Sequence, residues 1–177
     1  MAGSDLIALP EGAFEDVASR VGMSLRGEHT GTGLRFGIAC ALFNGGVTLR
    51  LLNGALEALA EAGTDRRDIT VAWVPGAFEV PLVARAFATA GKVDAVLCFG
   101  AVIRGDTGHY DFVAGECASG IQQVQLTTGM PVVFGVLTTD TLEQALERSE
   151  PDESNKGREA AFTGIEMVRL LRSGPFS

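Results

Sequence analysis

The sequence predicts a three-layer αβα fold built on a four-stranded parallel sheet. Three observations predict it. Short β-rich runs alternate with amphipathic helical runs from residue 35 onward, the strand-like runs are apolar throughout, and glycine or proline marks most of the joins. Such alternation builds βαβ units. Unbroken apolar strands belong to sheets covered by helices on both faces, so the whole sheet is expected to be buried.

Composition agrees. The chain has 177 residues, 46% apolar and 20% charged, which suits one domain with a full core. Lys and Arg number 14 against 22 Asp and Glu, for a formal net charge of −8. That balance repels phosphate backbones and anionic membranes, so neither nucleic acid nor a membrane is expected as a partner. The longest apolar runs, at 95–99 and 132–137, fall far short of the roughly 20 residues that span a bilayer. Asp5, Glu11, Glu15 and Asp16 stand near the start without a basic leader or an apolar segment. No secretory signal or transit peptide is read there, and a cytoplasmic location is expected. Cys40, Cys98 and Cys117 are odd in number and lack C-x-x-C spacing, and two of them sit inside strand-like runs. They read as buried spectator thiols, with only Cys117, beside Glu116, having a charged neighbour.

The elements follow in order. Residues 1–33 show no sustained periodicity and read as an N-terminal arm before a single α/β domain at 34–177. The Gly31-Thr32-Gly33 in the arm is no dinucleotide fingerprint, because it precedes the first strand and its third glycine is misplaced at Gly37. Strands are expected at 35–42, 69–74, 93–99 and 132–137. The first helix sets Leu52, Ala55, Leu56, Leu59 and Ala60 on one stripe and stops at Gly63. A second spans about 79–90 before Gly91, and a third spans 109–128 before Gly129 and Pro131. Asp140 and Glu143 resemble a capping box that opens a short fourth helix ending near Arg148. A polar loop at 149–154 leads to a last helix at 155–171. No internal repeat is read, and no second domain is expected.

Parallel sheets turn their carboxyl ends and the following helix N-termini toward one edge, where ligands collect. The unusual residues gather after the strands: Phe43-Asn44-Gly45-Gly46 after the first, Pro75-Gly76-Ala77-Phe78-Glu79 after the second, 100–109 after the third, and Thr138-Thr139-Asp140 at the fourth. One crevice is expected to hold them all. Gly105, Asp106, Thr107 and Gly108 stand just ahead of a long helix, whose free N–H groups can cradle an anion. His109, one of two histidines, sits at the mouth of that helix, and an imidazole suits proton transfer near neutrality. His29, in the arm, reads as a surface residue. Phe43 and Phe78 occupy loop positions where a flat ligand can cover them, and Glu79 can accept hydrogen bonds from it or simply favour the helix dipole. Arg148 either compensates a helix dipole or clamps an anion, with Lys156 near it in sequence.

These motifs resemble the 6,7-dimethyl-8-ribityllumazine synthase family over roughly residues 34–171. They are Phe-Asn at 43–44, Val-Pro-Gly-Ala-Phe-Glu-Val-Pro at 74–81, Gly-Ala-Val-Ile-Arg-Gly-Asp-Thr-Gly-His-Tyr-Asp at 100–111, Phe-Gly-Val-Leu-Thr-Thr-Asp-Thr at 134–141 and Asn-Lys-Gly at 155–157. The resemblance implies a flavodoxin-like topology. It also implies a transferase that condenses 5-amino-6-(D-ribitylamino)uracil with 3,4-dihydroxy-2-butanone 4-phosphate, releasing phosphate and water, without metal or organic cofactor. By resemblance, Phe43 stacks on the pyrimidine. Ala77, Phe78, Glu79, Ala101, Val102 and Ile103 bind it and its ribityl chain, and Phe134 belongs to the same subsite. Asp106, Thr107 and Arg148 hold the phosphate, and His109 moves protons.

Phe134 lies early in its strand, away from the carboxyl edge, which sets it out of reach of its own crevice. The family builds each site between adjacent subunits of a homopentamer, the neighbour giving the residues that correspond to Phe134 and Arg148. Some relatives assemble further into hollow 60-subunit icosahedral shells, and riboflavin synthase is a candidate partner, bound or enclosed. Gly108, Gly45-Gly46 and the acidic Asp152-Glu153 depart from the commoner family pattern. Two rivals remain. A flavodoxin-like signalling module wants clustered carboxylates after the first and third strands, where this chain has Phe43-Asn44 and Gly100-Ala101. A shell or flavin-binding protein that lost catalysis has no need of His109, Arg148 and the Asp106-Thr107 loop.

Overall fold

The computed structural model describes residues 9–176. Its elements are α1 (Ala13–Ala18), β1 (Phe36–Ala41), α2 (Gly45–Glu61), β2 (Ile69–Val74), α3 (Val80–Thr89), β3 (Ala95–Ile103), α4 (His109–Thr128), β4 (Val132–Thr139), α5 (Leu142–Glu147) and α6 (Lys156–Leu171). The strands form one parallel sheet in the order β2, β1, β3, β4. Successive side chains of a strand face opposite ways. Phe36, Ile38, Leu97 and Phe99 therefore pack toward α2 and α6, while Ala39, Ala41, Val96 and Cys98 pack toward α3 and α4. The result is the three-layer architecture expected from the alternating pattern.

Burial of the sheet needs correction. The inner strand β1 is wholly buried, and β3 is buried up to the half-buried Ile103. On the edges Trp73 of β2 is 50% exposed and Phe134 of β4 is 42% exposed. An edge strand has a neighbour on one side only, so its apolar residues stay open on the other.

Several element ends also move. β3 runs past Gly100 to Ile103 and β4 runs to Thr139, because the two pair in register from Val96↔Val132 to Ile103↔Thr139. Tertiary pairing here overrides the local weakness of glycine in a strand. The stripe of α2 buries Ala58 and exposes Ala60. The cap of α5 is Thr141, whose Oγ1 accepts the Gln144 N–H at 3.2 Å, while Gln144 Oε1 accepts the Asp140 N–H at 2.9 Å. Asp140 is not the cap because its carboxylate is held by Arg104 Nε at 2.9 Å.

Within residues 9–33 the structure has the six-residue α1, which buries no side chain, and a segment laid on α6. Arg169 donates there to the carbonyls of Thr30 and Thr32 at 2.9 and 2.7 Å. The part of the expected arm at 1–8 lies outside the described residues, as does residue 177. His29 is exposed, with Nε2 3.4 Å from Glu166 Oε2.

The Asn155-Lys156-Gly157 motif has a folding reason. Asn155 is buried, its Oδ1 accepts the Gly157 and Arg158 N–H groups, and its Nδ2 donates to Glu150 O at 2.8 Å. A Cβ on Gly157 would lie 1.9 Å from Leu51 O, so only glycine lets α6 start this close to α2. At the opposite end of the sheet, Asp94 accepts from Arg35 N at 2.7 Å and pairs with Arg35 NH2 at 3.0 Å and Arg172 NH2 at 2.6 Å. This clasp ties the starts of β1 and β3 to the end of α6. No helix among the described residues is long and apolar enough to cross a membrane.

Candidate active site

The chain leaves β1 for β2 on one side and returns for β3 on the other, so the topology switches between β1 and β3. Oppositely directed crossovers leave a crevice above the carboxyl ends of such strands. A cavity of about 670 Å³ lies there. Phe43 enters it from β1, 75–79 from β2, Ala101, Val102 and Ile103 from β3, and Gly105, Thr107 and His109 from the start of α4.

Local chemistry fixes these loops. Asn44 has φ 57°, the only positive φ outside glycine among the described residues. Asparagine tolerates this region better than most residues, and its Nδ2 donates to Ala101 O at 2.8 Å. The Phe43 N–H donates to Pro75 O at 3.0 Å. The reversal after β1 is thereby tied to both neighbouring strands, and Phe43 stands out with 70% of its surface exposed. A Cβ on Gly100 would lie 3.2 Å from the Ala77 Cβ and 3.2 Å from Val136 Cγ1. Glycine there lets the 3-10 turn Ala77–Glu79 close onto the end of β3.

His109 is exposed as the first residue of the 20-residue α4, and its N–H lies 3.4 Å from Thr107 Oγ1. The positive dipole end of that helix lies at the same cavity. Asp106, between Gly105 and Thr107, is exposed and does not line the cavity. No lysine or arginine lines it either.

Those cations lie elsewhere. A second cavity, of about 560 Å³, runs along the free edge of β4 between α4 and α6, and Phe134, Arg148 and Lys156 line it. Arg148 closes α5, its NH1 donating to Gln144 O at 3.0 Å and standing 3.6 Å from Glu147 Oε2. The Lys156 N–H donates to Arg148 O at 2.9 Å, which joins the two residues through the backbone, and Lys156 Nζ pairs with Glu159.

Of the strand-end loops expected to share one crevice, Thr138 and Thr139 fall outside it and Asp140 lines neither cavity, while Phe134 lies apart from it as its early place in the strand predicts. Phe43, Ala77, Phe78, Glu79, Ala101, Val102, Ile103, Thr107 and His109 meet in the first, whereas Phe134, Arg148, Thr138 and Thr139 line the second. The physical reason is twofold: β4 is the outer strand of the sheet, and Arg148 closes α5, which follows it.

The family model of 6,7-dimethyl-8-ribityllumazine synthase matches residues 33–172. The chain belongs to that family. Lumazine synthases are enzymes, transferases of riboflavin biosynthesis that act on small molecules and form oligomers, and this chain is one of the family.

In this lumazine synthase family member the cavity also takes in Tyr110, Phe112 and Val113. In sequence Phe112 and Val113 read as ordinary helix positions. Positions i, i+3 and i+4 share a helix face, so His109 points to Phe112 and Val113 once the helix start is known. The cysteines line neither cavity. All three are free and buried, and burial pushes the Cys40 and Cys117 thiols up to about 11 and that of Cys98 up as well. Protonated, enclosed thiols fit the spectator role.

Proposed function

We propose that the protein is a cytoplasmic 6,7-dimethyl-8-ribityllumazine synthase with one α/β domain from residue 34 and an arm before it. It condenses 5-amino-6-(D-ribitylamino)uracil with 3,4-dihydroxy-2-butanone 4-phosphate and releases phosphate and water. The observation that carries this reading is an exposed imidazole at a helix N-terminus, inside one cavity with the exposed rings of Phe43, Phe78 and Phe112 and a carboxylate.

The rings of Phe43 and Phe78 offer faces for a flat pyrimidine. Glu79 and the backbone at 101–103 supply hydrogen-bonding groups for its edge and its polyol chain. The Asp106-Thr107 loop at the head of α4 receives the phosphate. The substrate amine is itself the nucleophile, so the protein has to position two reactants and move protons. The amine attacks the ketone and water leaves, proton removal allows phosphate to depart, and the ring closes with loss of a second water. His109, beside both subsites, is the group placed to take and return protons.

A phosphate calls for a cation, and the first cavity has none. The second cavity has Arg148 beside Lys156, with Phe134 at its wall. We infer that the Phe134 and Arg148 of one subunit complete the His109 cavity of the next in a homopentamer. Native mass distinguishes a pentamer from a 60-subunit shell, and co-purification tests riboflavin synthase as a partner.

Mixing the two substrates with the protein tests the reaction. Formation of the lumazine chromophore with matching phosphate release is expected. Tight binding of the pyrimidine without turnover would instead support the rival flavin-binding or shell protein.

A further inference from the structure

Three carboxylates surround the loop assigned to the phosphate. Asp106 belongs to the loop, Asp111 stands in the first turn of α4, and Asp140 follows β4. All are exposed, and together they would repel an incoming dianion. Arg104 stands among them at the end of β3, ahead of the loop, and lines neither cavity. Its N–H donates to Thr139 O at 2.9 Å and joins the ends of β3 and β4. Its Nε donates to Asp140 Oδ1 at 2.9 Å and its NH1 to Asp111 Oδ1 at 3.2 Å. Its guanidinium carbon lies 4.0 Å from the centroid of the Tyr110 ring. One planar cation thus engages both residues that follow His109 and fastens them to the end of β4. A lysine, a single point donor, cannot reproduce that fork and stack together.

We propose that Arg104 is a positioning residue for the anion end of the site: it neutralises Asp111 and Asp140 and holds the first turn of α4, so that the 105–108 loop accepts a phosphate. The inference rests on the reading of that loop as the phosphate subsite.

The test is calorimetric titration of inorganic phosphate into the assembled protein, in about 20 mM and about 0.5 M salt, where screening lengths differ severalfold. Arg104→Met removes the charge and keeps the stem, and is expected to weaken phosphate roughly fivefold at low salt, a loss that shrinks at high salt. Adding Asp111→Asn and Asp140→Asn to that variant should bring the affinity back to within about twofold of the starting protein. Arg104→Lys keeps the charge and should lose less than Arg104→Met. A deficit that ignores salt and survives removal of both carboxylates would make Arg104 a merely structural residue and overturn the proposal. So would unchanged affinity in Arg104→Met, or no phosphate binding by the starting protein. Lumazine formation is measured separately. Its absence beside the expected phosphate pattern would refute the enzymatic reading alone, and its presence beside an unchanged affinity would refute the role of Arg104 alone.

Discussion

The cavity above β1 and β3 and the groove along β4 have similar volumes, about 670 and 560 Å³, and hold complementary chemistry. The first has the aromatic rings and His109 but no cation. The second has Arg148 and Lys156 but no histidine. Neither alone joins an imidazole to a cationic side chain, although each is built firmly. The first rests on the Asn44 and Gly100 contacts, and the second on the Asn155 hub that returns the chain to Arg148. The difference teaches that this fold divides its reactive groups between a strand-end crevice and an open edge, which the proposed homopentamer would bring together between neighbours.

Substitutions at the two places should fail in different ways. His109→Ala is expected to lower kcat roughly 100-fold with little change in either KM, leaving measurable turnover, because positioning survives when general acid–base help is lost. Complete loss in a folded protein would give the histidine a larger role than proton transfer. Arg148→Ala should raise the KM for the phosphate-bearing substrate about 20-fold, as expected for one charge-assisted contact, while the KM for the pyrimidine stays put. An unchanged KM would remove Arg148 from the anion clamp and break the comparison.

The smallest effect lies far from both cavities. Burial works against the charge of Asp94, but hydrogen bonds from Arg35 and the charges of Arg35 and Arg172 outweigh it and hold its pKa below the ordinary value. A carboxyl depressed in the folded state adds stability that is present above its unfolded pKa of about 3.9 and is lost as pH falls through the folded value. Asp94→Asn should therefore cost about 1–2 kcal/mol near neutrality and flatten the loss of stability below about pH 4, with kcat unaltered. Denaturant titration across pH measures this. A change in kcat would mean that the two ends of the sheet are coupled.

The fold was legible because a buried parallel sheet leaves strong marks: apolar runs, helical stripes and glycine stops. Helix α4 kept its expected limits, 109–128, since a glycine-rich loop precedes it and Gly129 and Pro131 end it. The end of β3 was not legible, because Gly100 reads as a stop until the pairing with β4 is known. Nor was the cap at Thr141, since Asp140 looks equally suited until Arg104 is seen to occupy it. Positions just after strands, such as Phe43, Phe78 and His109, could be gathered to one edge from topology alone. The separation of Arg148 from that edge depends on how α5 and the 149–155 loop fold back, which local sequence does not encode. Phe112 and Val113 read as ordinary helix residues because only the face they share with His109 marks them.

The most direct test mixes two defective chains. His109→Ala and Arg148→Ala subunits are denatured, combined, refolded together and assayed for lumazine formation. If sites are completed between neighbours, some interfaces in the mixed oligomer bring an intact His109 to an intact Arg148, and activity must rise well above that of either variant alone. Mixed oligomers no more active than the sum of their parents would contradict the shared site.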